Sequence, residues 1–404
     1  MRLLSVQQNL VSNPLADVTA EVHRQLDSLG LEVPQGEVAI TAGSRGICHI
    51  GQITRAVGDW LRERGASPFI IPSMGSHNGA TAVGQRQMIE ALGITEQAMD
   101  MPIRASMECV KVGSVATGDV WMDRHAYEAD GVLVLNRIKL HTCFSGPVQS
   151  GLVKMMVIGM GKIRSAETFH AAPNSQMKEM LLKMGRLLLD SGKICGGLAI
   201  LEDGFDQTAE LHAVRAQDIL ATEPKLIQRH RHYFPQLPID ELNVLVVDSI
   251  GKTYSGTGMD TNVLGYRGIR SYEDLEKPTI QIIAALSLAA ASQGNAIGVG
   301  LADFITQNLR AAIDEQKTFI NVYTTGEMER AKIPATLADD QQLIEKIAQR
   351  YGQRRWMFIA NTLHLGQLYA SEDLRDEIEA HPLCTIDPQP VELKYVNGKH
   401  QLVF

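Results

Sequence analysis

The run Val132, Leu133, Val134 and Leu135 most narrows what this chain can fold into. It is aliphatic without polar alternation, as in a strand buried on both faces, and such strands belong to parallel sheets covered by helices. The same grammar occurs twice earlier. Val38-Ala39-Ile40 is followed by the loop Thr41 to Gly46 and by helical periodicity from about Ile50 to Arg64, carried by Ile53, Val57, Trp60 and Leu61 and stopped at Gly65. Phe69-Ile70-Ile71 leads into the polar loop Pro72 to Thr81 and a helix from about Ala82 to Leu92. Repeated strand, polar loop and helix predict an α/β fold with mainly parallel sheets, whose ligands collect at the carboxyl ends of the strands.

The rest of the chain continues this pattern. Residues 101–125 read as shorter β elements, Met177 to Ser191 as an amphipathic helix, and Gly196 to Leu201 as a strand. Gln207 to about Arg231 reads as helical, broken near Pro224. Pro235 and Pro238 mark a linker. A new strand from Leu242 to Val247 opens the loop Ser249 to Asn262. Further α/β units occupy Pro278 to Asn308, Phe319 to Arg330 and Leu343 to Leu365, and Asn397-Gly398 predicts a closing hairpin. At 404 residues the chain exceeds one typical core. We expect two α/β domains, 1–236 and 237–404, with the last strands free to pack back on the first and an active site in the cleft between them.

Composition removes several function classes. A net charge of −8 argues against a nucleic-acid partner, which wants a basic face. Five scattered cysteines, with no C-x-x-C pair, fit free thiols in a reducing compartment. No basic leader precedes an apolar core, and the apolar stretch Ile280 to Ala291 is interrupted and too short to span a bilayer. The expectation is a cytoplasmic protein acting on a small molecule, away from membranes. There is no Walker A motif, no G-x-G-x-x-G after the first strand and no H-E-x-x-H.

Chemistry concentrates after the buried run. Asn136, Arg137, Lys139 and His141 follow it at once, then a loop of small residues from Ser145 to Gly151, then Lys154 within an otherwise apolar segment, and His170 sixteen residues later. A desolvated lysine amine suits covalent attachment, while a helix lysine snorkelling to solvent is the plainer reading. His141, on a polar tip after a buried strand, is placed for acid–base work. His77 sits in a Gly/Ser/Asn loop and could serve there or cap a turn. His170 reads as plain helix or as a mononuclear metal ligand. Gly256-Thr257-Gly258 is a phosphate cradle or a tight turn. His23, His125, His212, His230, His232, His381 and His400 read as surface or structural, and His49 and His364 stay unassigned.

Taken together these residues resemble the nickel-pincer-nucleotide lactate racemase family. Ser44-Arg45-Gly46 stands where that family has a T-R-P loop, and Gly75 to Thr81 matches the form of its G-x-H-R-P-x-T loop around a catalytic histidine. His141, the glycine-rich loop and Lys154 correspond to its second catalytic histidine and its cofactor-attaching lysine. His170 falls at the spacing of its nickel ligand. Met259-Asp260-Thr261-Asn262 parallels its L-D-x-N core. The ordered series runs from about residue 38 to 270. Departures are specific: Ala42 replaces an aspartate, Asn78 an arginine, and the segment between His141 and Lys154 is three residues longer. The lactate-binding Y-Q-x-x-K is here Leu264-Gly265-Tyr266-Arg267-Gly268.

The resemblance implies a racemase or epimerase of a 2-hydroxy acid other than lactate, working by reversible hydride transfer. The cofactor it implies is a nickel-pincer nucleotide, a pyridinium bisthiocarboxylic acid mononucleotide carrying nickel, supplied by cofactor-synthesis enzymes. It would be attached to Lys154, ligated by His170 and contacted by Ser44, Gly151, Met259, Asp260 and Asn262. His77 and His141 would exchange protons. Arg45, Tyr254 and Arg267 would contact substrate, Arg270 being a further candidate for the lost cation. The alternatives are a non-enzymatic or differently metallated nickel or nucleotide carrier, and an ordinary nicotinamide-dependent oxidoreductase.

Overall fold

The apolar runs around Ala39, Phe69 and Val132 are adjacent parallel strands in a computed structural model of the protein. The structure describes residues 1–170, 176–270 and 272–404, apart from the side chains of His170, Thr324 and Thr325. The chain divides into two units, residues 11–234, and residues 1–10 together with 235–404. The first strand, β1 (Arg2–Gln8), belongs to the second of these.

In the unit 11–234, α1 (Val18–Ser28) precedes β2 (Glu37–Ala42), α2 (Ile50–Glu63), β3 (Ser67–Pro72), α3 (Ala82–Ala91) and α4 (Glu96–Met99). The hairpin β4 (Cys109–Val115) and β5 (Gly118–Asp123) leads through α5 (Arg124–Glu128) to β6 (Gly131–Arg137). Then come α6 (Leu152–Lys154), α7 (Lys162–His170), α8 (Met177–Asp190), β7 (Ile194–Glu202), β8 (Thr208–Arg215) and α9 (Ile219–Tyr233). The sheet order is β3-β2-β6-β7-β8, parallel except for β8. Burial explains the strand chemistry, because Val132, Leu133 and Val134 lose all solvent contact. On α2, Ile53, Val57, Trp60 and Leu61 form the apolar stripe, each worth roughly 1.5–3 kcal/mol on burial.

Two predictions fail in this unit. The segment after Gln207 begins as strand β8, because Ala209 and Leu211 are buried at strand spacing on an antiparallel edge. The helix after it runs through Pro224 unbroken. One ladder bond is lost there, while Ile219, Glu223, Leu226, Ile227 and His230 bury one continuous face.

The other unit is built on a nine-stranded sheet among the described residues, ordered β12-β11-β10-β9-β13-β14-β1-β15, with β16 also on β1. Its strands are β9 (Glu241–Ile250), β10 (Thr279–Leu288), β11 (Phe304–Thr306), β12 (Ala335–Leu337), β13 (Trp356–Ile359), β14 (Gln367–Ser371), β15 (Cys384–Ile386) and β16 (Val391–Glu392). Strands β9 to β13 pair in parallel, and β14, β1, β15 and β16 add an antiparallel flank. Helices α10 (Thr261–Leu264), α11 (Gln307–Ala312), α12 (Glu315–Thr325), α13 (Asp340–Tyr351) and α14 (Arg375–Glu379) complete it. The stretch Phe319 to Arg330 is helix followed by a tight helical turn, without a strand. The hairpin β17 (Tyr395–Val396) and β18 (Lys399–His400) turns on Asn397 and Gly398, both at positive φ, as the sequence predicts.

Candidate functional site

In the unit 11–234 the chain runs from β2 out to β3 on one side and returns to β6 on the other, so the strand order reverses between β2 and β6. Such a switch point opens a crevice at the carboxyl ends of the strands. The loops that flank it are those carrying Ser44 and Arg45 after β2, and Arg137, Lys139 and His141 after β6. The β3 loop with His77 lies next to them.

All three strand ends meet the segment that carries Lys154. The Asn136 amide donates to the Gly151 carbonyl at 2.8 Å. A Cβ on Gly43 would stand 3.1 Å from Met155 Cε, and the Gly75 N–H bonds the Gly159 carbonyl at 3.1 Å. Lys154 is half-buried at the end of α6, and residues Met155–Gly159 continue as one π-helical turn closed by the Met160 N–H on the Met155 carbonyl. Single π turns inside helices recur at functional sites. The lysine is neither sealed in the core nor fully exposed, which retains both the tether and the snorkelling geometry.

His77 is exposed, and its Nδ1 lies 2.5 Å from Ser44 Oγ. Its loop is held in an unfavourable backbone: Asn78, Gly79 and Ala80 all take positive φ, which for Ala80 costs about 1–2 kcal/mol. Beneath it Gln85, fully buried, donates to the Gly75 carbonyl at 2.8 Å. Lys162, also fully buried, pairs with Asp123 at 3.0 Å and donates to the Pro72 carbonyl. Sequence reading singled out Lys154 as the unusual lysine. Lys162 is the one sealed from solvent, and it braces the end of β3.

His141 is half-buried and fixed from three sides. Its N–H donates to Gln149 Oε1 at 2.7 Å, its ring stacks on Phe144 at 4.2 Å between centroids, and its Nδ1 accepts the Cys143 N–H at 3.1 Å. Lys139 and Ser150 bond each other's backbone across the neck of this loop. The bonding at Nδ1 assigns the neutral ring's hydrogen to Nε2.

The rim is cationic. Arg45 is exposed. The protein packed about its guanidinium, and the neighbouring Arg137 cation, pull its pKa down without discharging it. Arg137 is tied to Glu202, which also accepts the Cys48 N–H at 2.6 Å. Arg45 itself makes no ion pair among the described residues. The side chain of His170, which ends α7, lies outside the described residues. No cluster of three or more His, Cys, Asp or Glu placed to hold a metal occurs among the described residues.

The predicted residues of the other unit have a different character. Met259 and Asp260 are buried. Asp260 accepts the Asn262 N–H at 3.0 Å and its side-chain amide at 2.9 Å, capping α10. Arg267 is sealed in the core with Nε on the Glu273 carbonyl at 3.0 Å, and its own carbonyl accepts from Arg330. This is a framework position, whereas Arg270 is 83% exposed. Tyr254 is half-buried, its ring edge-on to His364 at 6.0 Å. Gly256-Thr257-Gly258 resolves as a tight turn: a Cβ on Gly258 would stand 1.9 Å from the Ile297 carbonyl oxygen.

Sequence reading missed two buried titratable groups on the inner face of α9. Burial pushes Glu223 up to about 7 against the N–H groups of Val153 and Leu152 that favour its charge. His230, read as surface or structural, is buried, and burial with Lys139 and Arg137 pushes it down to about 3. The only signal for either was its place in the 3.6-residue apolar repeat of α9.

This α/β unit, with its strand-end loops at a switch point, and the second mainly parallel sheet define a lactate-racemase-like fold. The apoprotein of lactate racemase from Thermoanaerobacterium thermosaccharolyticum superposes with a TM-score of 0.52 at 12% identity, over 89% of this chain and 98% of that one. The model of a family described as a domain of unknown function, DUF362, matches residues 42–223, from the end of β2 to Glu223. No curated protein matches the chain. No helix among the described residues is long and apolar enough to cross a membrane.

Proposed function

We propose that the protein inverts the C2 stereocentre of a 2-hydroxy acid, using a nickel-pincer nucleotide attached through Lys154. The observation that supports this reading is the contact of three strand ends with the segment that carries Lys154, because Arg45, His77 and His141 follow those same strand ends. The residues fit such a group in kind. Lys154 offers the nucleophile, and the cationic rim suits an anionic nucleotide. Ligation by His170 stands on its sixteen-residue spacing from Lys154. When bound, the group supplies a hydride acceptor, so that the C2 hydrogen leaves with its electron pair and no carbanion is needed.

The chain's own residues supply the rest. Arg45 forks onto the substrate carboxylate and sets its orientation. His77 can take the hydroxyl proton at Nε2 when its Nδ1–H donates to Ser44 Oγ, a direction the hydroxyl permits. His141 lacks that freedom, because a backbone N–H only donates. While its Nδ1 accepts from Cys143 the ring presents Nε2–H as a donor. To act as a base it must first release that amide. The departures at Leu264 to Gly268 from the lactate-binding pattern favour a bulkier 2-hydroxy acid.

The test is co-expression with the cofactor-synthesis enzymes and nickel. Single enantiomers of branched, aromatic and sugar-derived 2-hydroxy acids are then incubated with the product and resolved by chiral chromatography. We expect racemisation of at least one, with a mass increment on the Lys154 peptide. A loaded Lys154 peptide without exchange of any acid tested would favour a carrier, and no increment at all would sink the reading.

A further inference from the structure

We propose that Glu223 is a positioning residue for Lys154, holding the turn that carries the amine from beneath the glycine-rich loop; this rests on the reading of Lys154 as the reactive amine. Glu223 projects from α9 and is 1% exposed. Its Oε2 accepts the Val153 N–H at 2.9 Å, and the Leu152 N–H donates to the same carboxylate. Both donors lie in the two residues before Lys154.

Gly151 makes the arrangement possible. Its φ of −173° is ordinary extended backbone, so conformation alone does not call for glycine. A Cβ there would stand 2.5 Å from Glu223 Oε1 and 2.8 Å from Ile138 Cδ1. The carboxylate thus occupies the room that a side chain at 151 would fill, and Oε1 has no hydrogen-bond partner among the described residues.

A sealed carboxylate with one unbonded oxygen is a poor choice for stability alone. Its place is explained by the amides it holds. Of the acidic groups on the elements packed against α9, Glu202 pairs with Arg137, Glu210 with Arg229 and Glu179 with Lys183. His230, two turns further along α9, is kept neutral by burial. The cation next in sequence to the two amides is Lys154. Ionised, Glu223 can accept both N–H groups and favour a cation beside them. Protonated, it accepts less strongly and the turn is held less firmly.

The experiment uses the full-length apoprotein and needs no cofactor. Acetic anhydride labelling of Lys154, relative to Lys178 in the same sample, is followed by peptide mass spectrometry from about pH 6 to pH 9 in the wild type, Glu223→Gln and Glu223→Asp. We expect the wild-type profile to carry a step near pH 7 in addition to the amine's own rise. Glu223→Gln should lose that step and change the Lys154 rate several-fold at pH 8, and Glu223→Asp should restore part of it. A folded Glu223→Gln protein whose Lys154 profile superimposes on the wild type overturns the proposal. If Glu223→Gln does not fold, Gly151→Ala, which displaces the carboxylate, must alter the same profile, and an unchanged profile again overturns it. The mass increment on Lys154 of the loaded wild type tests the functional reading separately.

Discussion

His77 stands in an exposed loop with three successive residues at positive φ, its Nδ1 set against a hydroxyl that can donate or accept. His141 stands in a half-buried loop closed at the neck by Lys139 and Ser150, stacked on Phe144, with its Nδ1 against an amide that can only donate. The difference lies in the partner of one ring nitrogen. A hydroxyl lets the proton sit on either side of His77, whereas an amide commits His141 to one tautomer. On the proposed reading the two bases are prepared to different degrees: His141 must release the Cys143 amide to carry a proton at Nδ1, whereas the Ser44 hydroxyl can turn to accept one from His77.

The comparison breaks most directly at the rings themselves. His77→Ala and His141→Ala should each lower kcat by about 10²- to 10⁴-fold, measured from both enantiomers, with the mass on Lys154 unchanged. A carrier would show no such loss of turnover while keeping its ligand. The next largest effect tests the floor beneath the glycine-rich loop. Glu223 binds its proton more tightly folded, near 7, than unfolded, near 4.5. Native stability therefore falls as pH rises through that window, and the cost is full above 7, on the order of 3 kcal/mol. Glu223→Gln should melt higher than the wild type at pH 8, with the gap closing toward pH 4.5. A gap that widens on acidification would reverse the assignment.

Smaller effects separate the two loops. Ser44→Ala removes one hydrogen bond from His77 and should cost about tenfold in kcat, with no further loss in the His77→Ala background. If Ser44→Ala costs as much after His77 is gone, the hydroxyl serves something other than the ring. Phe144→Leu removes the stack under His141, worth about 0.5–1.5 kcal/mol. It should lower kcat/KM by roughly 2- to 10-fold, equally from both enantiomers because the equilibrium constant is unchanged.

The strand, loop and helix rhythm was legible because β2, β3 and β6 are buried on both faces, which leaves apolar runs that sequence cannot hide. β1 was not legible. Arg2 to Gln8 alternates weakly, and its pairing partners, Gln367 to Ser371, Cys384 to Ile386 and Val391 to Glu392, lie more than 350 residues away. β8 was misread for a related reason, since an edge strand with polar residues on one face mimics an amphipathic helix over a short window. Of the site, Ser44, Arg45, His77, His141 and Lys154 follow strand ends and could be found by position. Glu223 could not, because what distinguishes it is the amides across from it on another element. Arg267 was misleading in the opposite way: a lone arginine beside glycines looks like a ligand cation, yet its side chain is buried and its Nε donates to the Glu273 carbonyl.

The placement of β1 has a consequence for how the polypeptide is made. Residues 2–8 leave the ribosome before any of the strands they will join, and the whole of residues 11–234 is synthesised in between. The partners of this strand are made only after that unit. During that interval an apolar segment, with Leu3, Leu4 and Val6 destined for complete burial, waits as an unpaired β edge. The second unit cannot complete its sheet by folding in order of appearance, whereas the unit that carries Lys154 can.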